Sequence, residues 1–281
     1  MITRRTGYLA ISTDAGSDAS QQLQTEGYVT LNGVFDADEV AELIADVDRV
    51  FDECAPDERH SKYGPEHWEP FRYEMLNRSA VVHRAIAHRA ILDVVEPLLG
   101  EDCHVIANTA WRQPAGTSTH GGQRWHIDSG PHVPRPAGVP WDERIPYPVF
   151  AVATHLMLQD CPLEAGPTGV IPRSHTSGQS PPLDRMTDPD LEWEGTHALP
   201  LTASAGDVLL FVSDVWHRRL PPTDEDPGRY FIQCHYGRRD LAQRLRPTSA
   251  ANQLSPDAIE RATSKRERML IGLHEPFFYD G

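Results

Sequence analysis

The sequence predicts a mainly β protein with flanking helices, built as an antiparallel sandwich or barrel, and three observations predict it. From Cys103 to Tyr236, short apolar runs recur with Gly and Pro punctuating the chain every few residues. No helical pattern separates those runs, so they do not read as parallel strands joined by crossover helices. The clear helical patterns lie before Cys103 and after Ser255, where they would flank the sheets. No internal repeat is evident.

Taken in order, residues 1–19 are rich in Ser, Asp, Gly and Thr and are expected to form a mobile tail. Residues 20–281 then read as a single domain. A short helix runs through Leu23 to a C-cap at Gly27, and Tyr28-Val29-Thr30-Leu31 follows as a strand. The clearest helix has Asp36 as N-cap, Glu39 three residues on, and Val40, Leu43, Ile44, Val47, Val50 and Phe51 at helical spacing. That stripe is core. The polar stretch 52–68 reads as a loop carrying His60 and His67, with Glu69 beside it. Ser79 caps a helix through His88, and a second runs from Ile91 to Leu99 before Gly100 stops it.

Strands are expected at His104–Trp111, Val149–Leu158, Gly169–Ile171, Val208–Val212 and Phe231–Tyr236. Between the first two, residues 129–148 hold Pro131, Pro134, Pro136, Pro140, Pro146 and Pro148, too many for a central strand. A loop of that length is usually functional, and a lid over the site is the expectation. Ser255-Pro256 opens a C-terminal helix over about 255–270, with Pro in its first turn.

Composition narrows the function. Of 281 residues, 39% are hydrophobic and 24% charged, and no apolar run approaches the roughly 18 residues of a membrane span. A net charge of −15 opposes a nucleic-acid partner, whose phosphates it would repel. No signal-peptide pattern follows Met1, so a cytoplasmic location is expected. Cys54, Cys103, Cys161 and Cys234 are too far apart for C-x-x-C chemistry and read as reduced thiols. A small-molecule substrate is the expected partner. Nothing in the sequence specifies an oligomeric state.

The chemistry gathers at Trp125-His126-Ile127-Asp128. On an extended segment, His126 and Asp128 face the same way, presenting two of the three ligands of a facial triad for non-heme iron. His67 and Glu69 form a rival pair of the same spacing. The third ligand should come from a later strand, and the run Gly206-Asp207-Val208-Leu209 through Trp216 ends on His217. His120, His132, His155, His175 and His235 lie in the same half of the chain as rivals. After the turn 221–228, Arg229 opens the next strand, where a planar guanidinium could grip the far carboxylate of an iron-chelating 2-oxo acid.

These features resemble the phytanoyl-CoA dioxygenase family from about Leu23 to Tyr236. The likeness rests on Gly27-Tyr28-Val29-Thr30-Leu31, Leu98-Leu99-Gly100, Trp125-His126-Ile127-Asp128, Glu164-Ala165-Gly166-Pro167-Thr168-Gly169-Val170-Ile171-Pro172-Arg173-Ser174-His175, and Gly206-Asp207-Val208-Leu209 leading to His217 and Arg229. The resemblance implies a double-stranded β-helix of jelly-roll, cupin-like type. It also implies an iron(II)- and 2-oxoglutarate-dependent oxygenase that consumes O2, releases succinate and CO2, and most often hydroxylates. It makes His126, Asp128 and His217 the iron ligands and Arg229 the anchor for 2-oxoglutarate.

The chain departs from the family pattern in a few places. Ala165 and Arg173 replace a usual Asn and Gly. Arg219 stands two residues after the distal His, where the family tends to have a small hydroxyl or Gly. His155 takes the place of a common Trp, so the resemblance puts it beside the co-substrate, with Trp111 on the preceding strand; a buried packing His is the other reading. Two rival functions remain, a zinc-dependent hydrolase and a metal-free cupin-like binding module.

Overall fold

The protein's structure, a computed structural model, describes residues 16–55, 69–116, 122–128, 130–243, 245 and 254–274, and the backbone alone of 3–5 and 8–10. His60, His67 and His120 lie outside the described residues, as do most of the expected 52–68 loop and parts of the expected tail. Two short strands, β1 (Thr3–Arg5) and β2 (Tyr8–Ala10), pair antiparallel near the start of the chain.

Helix α1 (Asp18–Glu26) starts at Asp18 because Ser17 caps it, its hydroxyl accepting from the Ser20 amide at 3.2 Å. Gly27 ends it in the left-handed region at φ 83°, and strand β3 (Tyr28–Leu31) follows as expected. Helix α2 (Ala37–Glu53) carries the expected capping box between Asp36 and Glu39 and buries Val40, Leu43, Val47, Val50 and Phe51. Strand β4 (Phe71–Tyr73) and helix α3 (Met75–Arg78) were not anticipated, being too short to show a period. Helices α4 (Ala80–Ile86) and α5 (Arg89–Leu99) fill the two expected places, and Ser79 caps α4.

The strands form two facing sheets. The larger has the order β3-β11-β6-β13-β5-β4, where β5 is His104–Gln113, β6 Ala151–Met157, β11 Val208–Val212 and β13 Arg229–Gly237. The smaller has the order β10-β7-β12, where β7 is Thr168–Val170, β10 Leu199–Leu201 and β12 His217–Arg219. All these pairings are antiparallel. A minor hairpin joins β8 (Glu192–Trp193) to β9 (Thr196–His197).

Period two divides each central strand between two cores. Val152, Leu156, Val208, Leu210, Val212 and Ile232 pack with Val40, Val47, Ile91 and Val95 of the helices. Their neighbours Ala153, Met157, Leu209, Phe211 and Phe231 point the other way, onto Val170 and Leu201 of the smaller sheet. Burial on both faces explains why β11 reads as a continuous apolar run.

Two expected elements are broken in the structure. The strand expected to run from Gly206 to His217 stops at Val212, and His217 begins β12 in the other sheet instead of ending β11. The turn between them is locked by Asp214, whose carboxylate accepts from the Tyr147 hydroxyl at 3.0 Å and from the His132 amide at 3.1 Å. The C-terminal helix is likewise two helices, α6 (Pro256–Arg261) and α7 (Lys265–Leu270). Ser264 and Glu267 make a fresh capping box that starts the second.

Candidate active site

His126 and His217 meet across a single antiparallel bridge, each amide donating to the other's carbonyl at 3.0 Å. The Asp128 amide donates to the Ser213 carbonyl at 3.0 Å, which fixes the second half of the pair against the turn before β12. The facing of His126 and Asp128 thus comes from one bridge and one further hydrogen bond, not from a regular strand. Ligand atoms of His126, Asp128 and His217 all lie within 4.8 Å of one another, a spacing a single ion can span. Nε2 of His217 is 3.4 Å and Nε2 of His126 3.9 Å from Oδ1 of Asp128.

Backbone carbonyls set the tautomers. Nδ1 of His126 donates to the Arg124 carbonyl at 2.8 Å, and Nδ1 of His217 donates to the Val215 carbonyl at 2.8 Å. A carbonyl only accepts, so each Nδ1 holds the hydrogen and each Nε2 keeps its lone pair for a metal. Burial alone would raise the Asp128 carboxyl, but His217, His235 and His126 outweigh it and hold it well below the usual carboxylate range. Burial lowers His126. At His217 burial is outweighed by Asp128, which leaves the imidazole raised. Two imidazole nitrogens and one ionised carboxylate are the donor set of the iron facial triad, so the residues present fit the metal.

A cavity of about 430 Å³ opens from these atoms, lined also by Trp111, His155 and Arg229. Arg229, 6% exposed, begins β13 and donates through Nη2 to the Thr168 hydroxyl at 3.4 Å. His155 on β6 shares that hydroxyl at 3.4 Å through Nδ1 and tilts against Phe231 at 4.5 Å. Burial, then Arg229, pushes His155 well below its ordinary value, so it is a neutral imidazole. Trp111 on β5 stacks on Phe231 at 5.5 Å and donates to the Gln233 side-chain oxygen at 3.1 Å.

Of the rival histidines, His132 is held by Asp214 at 2.5 Å and His175 meets the Gln24 carbonyl at 2.9 Å, both away from the cavity. His235 was a rival and does belong here: its Nδ1 is 3.8 Å from Oδ2 of Asp128. Arg229, Phe231, Gln233 and His235 all line the cavity, as do Trp111, Thr109 and Ala107 of the paired strand. Their alternation is the signal that could have found Phe231, Gln233, His235 and Thr109 in advance. The end of the Pro-rich loop, from Trp141 to Tyr147, lines a second cavity of about 730 Å³ against α1, and none of the loop's described residues lines the first.

Against this geometry, the family model for phytanoyl-CoA dioxygenase matches residues 23–221. The chain belongs to the phytanoyl-CoA dioxygenase family. It is therefore a 2-oxoglutarate-dependent dioxygenase, using iron(II), 2-oxoglutarate and O2, and the hydrolase and metal-free readings fall away. The match to the phytanoyl-CoA dioxygenase model takes in His126, Asp128 and His217 and stops short of Arg229.

No curated protein matches the sequence. Among solved structures, EctD from S. alaskensis, with 2-oxoglutarate and 5-hydroxyectoine, is similar at TM-score 0.62 and 20% identity, over 87% of this chain and 84% of that one. The 2-oxoglutarate-dependent epimerase SnoN from nogalamycin biosynthesis is similar at TM-score 0.60 and 19% identity, over 85% and 92%. HygX from Streptomyces hygroscopicus, with nickel, 2-oxoglutarate and hygromycin B, is similar at TM-score 0.60 and 14% identity, over 86% and 97%. At these identities the likeness establishes the fold: the double-stranded β-helix expected for the phytanoyl-CoA dioxygenase family. Among the described residues no helix is long and apolar enough to cross a membrane.

Proposed function

We propose that the enzyme hydroxylates a small organic molecule, with His126, Asp128 and His217 holding iron(II) and Arg229 holding the far carboxylate of 2-oxoglutarate. The observation that carries this is the convergence, on one cavity, of two imidazole Nε2 lone pairs, an ionised carboxylate and a buried guanidinium. When bound, iron(II) with 2-oxoglutarate and O2 supplies the oxidising chemistry, with release of succinate and CO2.

The protein's own residues bind, orient and shield. The His217 side chain, 6% exposed, lies deeper than that of His126, 36% exposed, so the site opens to substrate on the His126 side. Arg229 sits deep in the cavity, beside Thr168 and His155. A fixed planar fork there would orient a carboxylate without rearranging. Trp111, Phe231 and Phe211 wall the cavity and exclude water, while Gln233 and His235 offer polar atoms to a substrate. The EctD structure, alike in fold, holds 5-hydroxyectoine, a hydroxylated small molecule, which supports hydroxylation as the outcome.

Anaerobic addition of iron(II) and 2-oxoglutarate should produce the weak visible band of a chelated 2-oxo acid. Ala at His126, Asp128 or His217 should abolish that band and turnover while circular dichroism stays unchanged. A band that survives in all three variants assigns the metal to other residues, with the His67 and Glu69 pair the first to test. Succinate release across a panel of small molecules, followed by mass spectrometry, would identify the substrate. A product without added oxygen would overturn hydroxylation.

A further inference from the structure

Two guanidinium groups, not one, meet at the Arg229 end of the cavity. Arg219 and Arg229 are each 6% exposed and both line it. They share neighbours on two strands. Thr168 is the register partner of Arg219, and its hydroxyl accepts from Arg229. Gln113 is the register partner of Arg229, and its side-chain oxygen accepts from Nη1 of Arg219. Nη2 of Arg219 also donates to the Ala165 carbonyl at 3.2 Å.

The carboxylate of this cluster is Asp226, itself 6% exposed. Its Oδ2 lies 4.0 Å from Nη2 of Arg219, and its Oδ1 accepts from the Gly228 amide at 2.8 Å. The Cys161 thiol faces both arginines but is raised by burial and stays neutral. Among the described residues no carboxylate lies within ion-pair distance of Arg229. The cluster therefore holds two positive charges against one negative charge in a region shielded from water. A buried excess charge is stabilised by a counter-ion of opposite sign.

We propose that Arg219 is a second anchoring residue for the far carboxylate of the co-substrate, acting with Arg229, and that Asp226 moderates the pair so that one carboxylate group neutralises the cluster. The inference rests on the reading that Arg229 holds 2-oxoglutarate. Beside Arg229 this chain thus places a second buried cation, with Asp226 to balance it. The pocket is thereby tuned to an anion and discriminates against a neutral analogue.

Substitutions on the two sides of the balance should act with opposite sign. In calorimetric titration of 2-oxoglutarate into anaerobic iron(II)-loaded protein, Arg219→Gln should weaken binding on the order of tenfold. Asp226→Asn keeps the acceptor for the Gly228 amide and removes the negative charge, so it should tighten binding at least about threefold. Succinate titrated into metal-free protein, which reports carboxylate anchoring without iron, should follow the same order. Arg238→Gln, a change at a half-buried cation outside the cavity, sets the baseline. Weakening by both variants means a packing role and overturns the proposal, as does binding within twofold of wild type in both. If Arg219→Gln does not fold, the sign of the Asp226→Asn change decides alone. Normal wild-type binding with no response to either variant refutes Arg219 alone, whereas wild-type protein that binds no 2-oxoglutarate overturns the function as well.

Discussion

The carbonyls of Arg124 and Val215 give His126 and His217 what no side-chain pattern encodes, a fixed tautomer with Nε2 free. Each accepts from an imidazole two positions further along the chain, so the same local contact serves both residues. Arg229 is the matching case among the cations, since its value lies in a buried planar fork and not in charge alone. Arg229→Lys keeps the charge and loses the fork. The affinity for 2-oxoglutarate should fall by about 1.5–3 kcal/mol, the range for hydrogen bonds to charged groups, with iron binding intact. Arg238→Lys, at a half-buried position paired to Asp240 outside the cavity, should leave it unchanged. Anaerobic titration of each variant is the measurement, and an unaltered dissociation constant for Arg229→Lys removes this residue as the anchor.

Among the elements, the segment around β7 shows how backbone conformation and sequence agree at one position and conflict at another. Gly166 sits at φ 63°, and a Cβ there would lie 2.4 Å from the Leu220 carbonyl oxygen. That backbone cannot give way easily, because the Leu220 amide is itself bonded to the Pro167 carbonyl. Arg173 also takes a left-handed conformation, at φ 66°, where the family usually has Gly. Its side chain contributes only an exposed pair with Glu143, which is worth little. Gly166→Ala should therefore destabilise by more than about 2 kcal/mol, through strain plus the clash. Arg173→Gly should stabilise by about 0.5–1 kcal/mol, the relief of strain less the added freedom of the unfolded chain. Urea unfolding of both variants tests the pair, and a destabilised Arg173→Gly protein would contradict the strain argument.

For the molecule as a whole, the buried histidines make stability depend on pH in one direction. Burial brings His175 down to about 4, and burial with His104 brings His274 to about 4; His83 and His104 are lowered by burial as well. Folded, these rings resist a proton that the unfolded chain accepts near 6.5. Their stabilising contribution is thus complete above pH 6.5 and is lost as pH falls from there toward 4. His217, raised by Asp128, opposes this in the metal-free protein, one group against several. His175 alone should cost about 2 kcal/mol between pH 7 and pH 5. Urea midpoints of metal-free protein at the two pH values should differ accordingly. In His175→Gln, which keeps a donor for the Gln24 carbonyl, the difference should shrink; an unchanged midpoint in the wild type would falsify the linkage.

By itself the sequence determined the elements whose period exceeds their noise and the residues whose chemistry is local. The capping box and stripe of α2, strand β3, strand β11, and the pairing of His126 with Asp128 all lie within one short window of chain. The tertiary structure alone decided what depends on distant partners. It breaks the expected strand before His217, because Asp214 is bound by His132 and Tyr147 from a loop far away in sequence. It brings His235 beside Asp128, and it sets Arg219 next to Arg229 through Thr168 and Gln113, contacts that no spacing along the chain records. A strand's period says which face a side chain takes. Which charges then meet across that face is fixed by the register of sheets that only folding assembles.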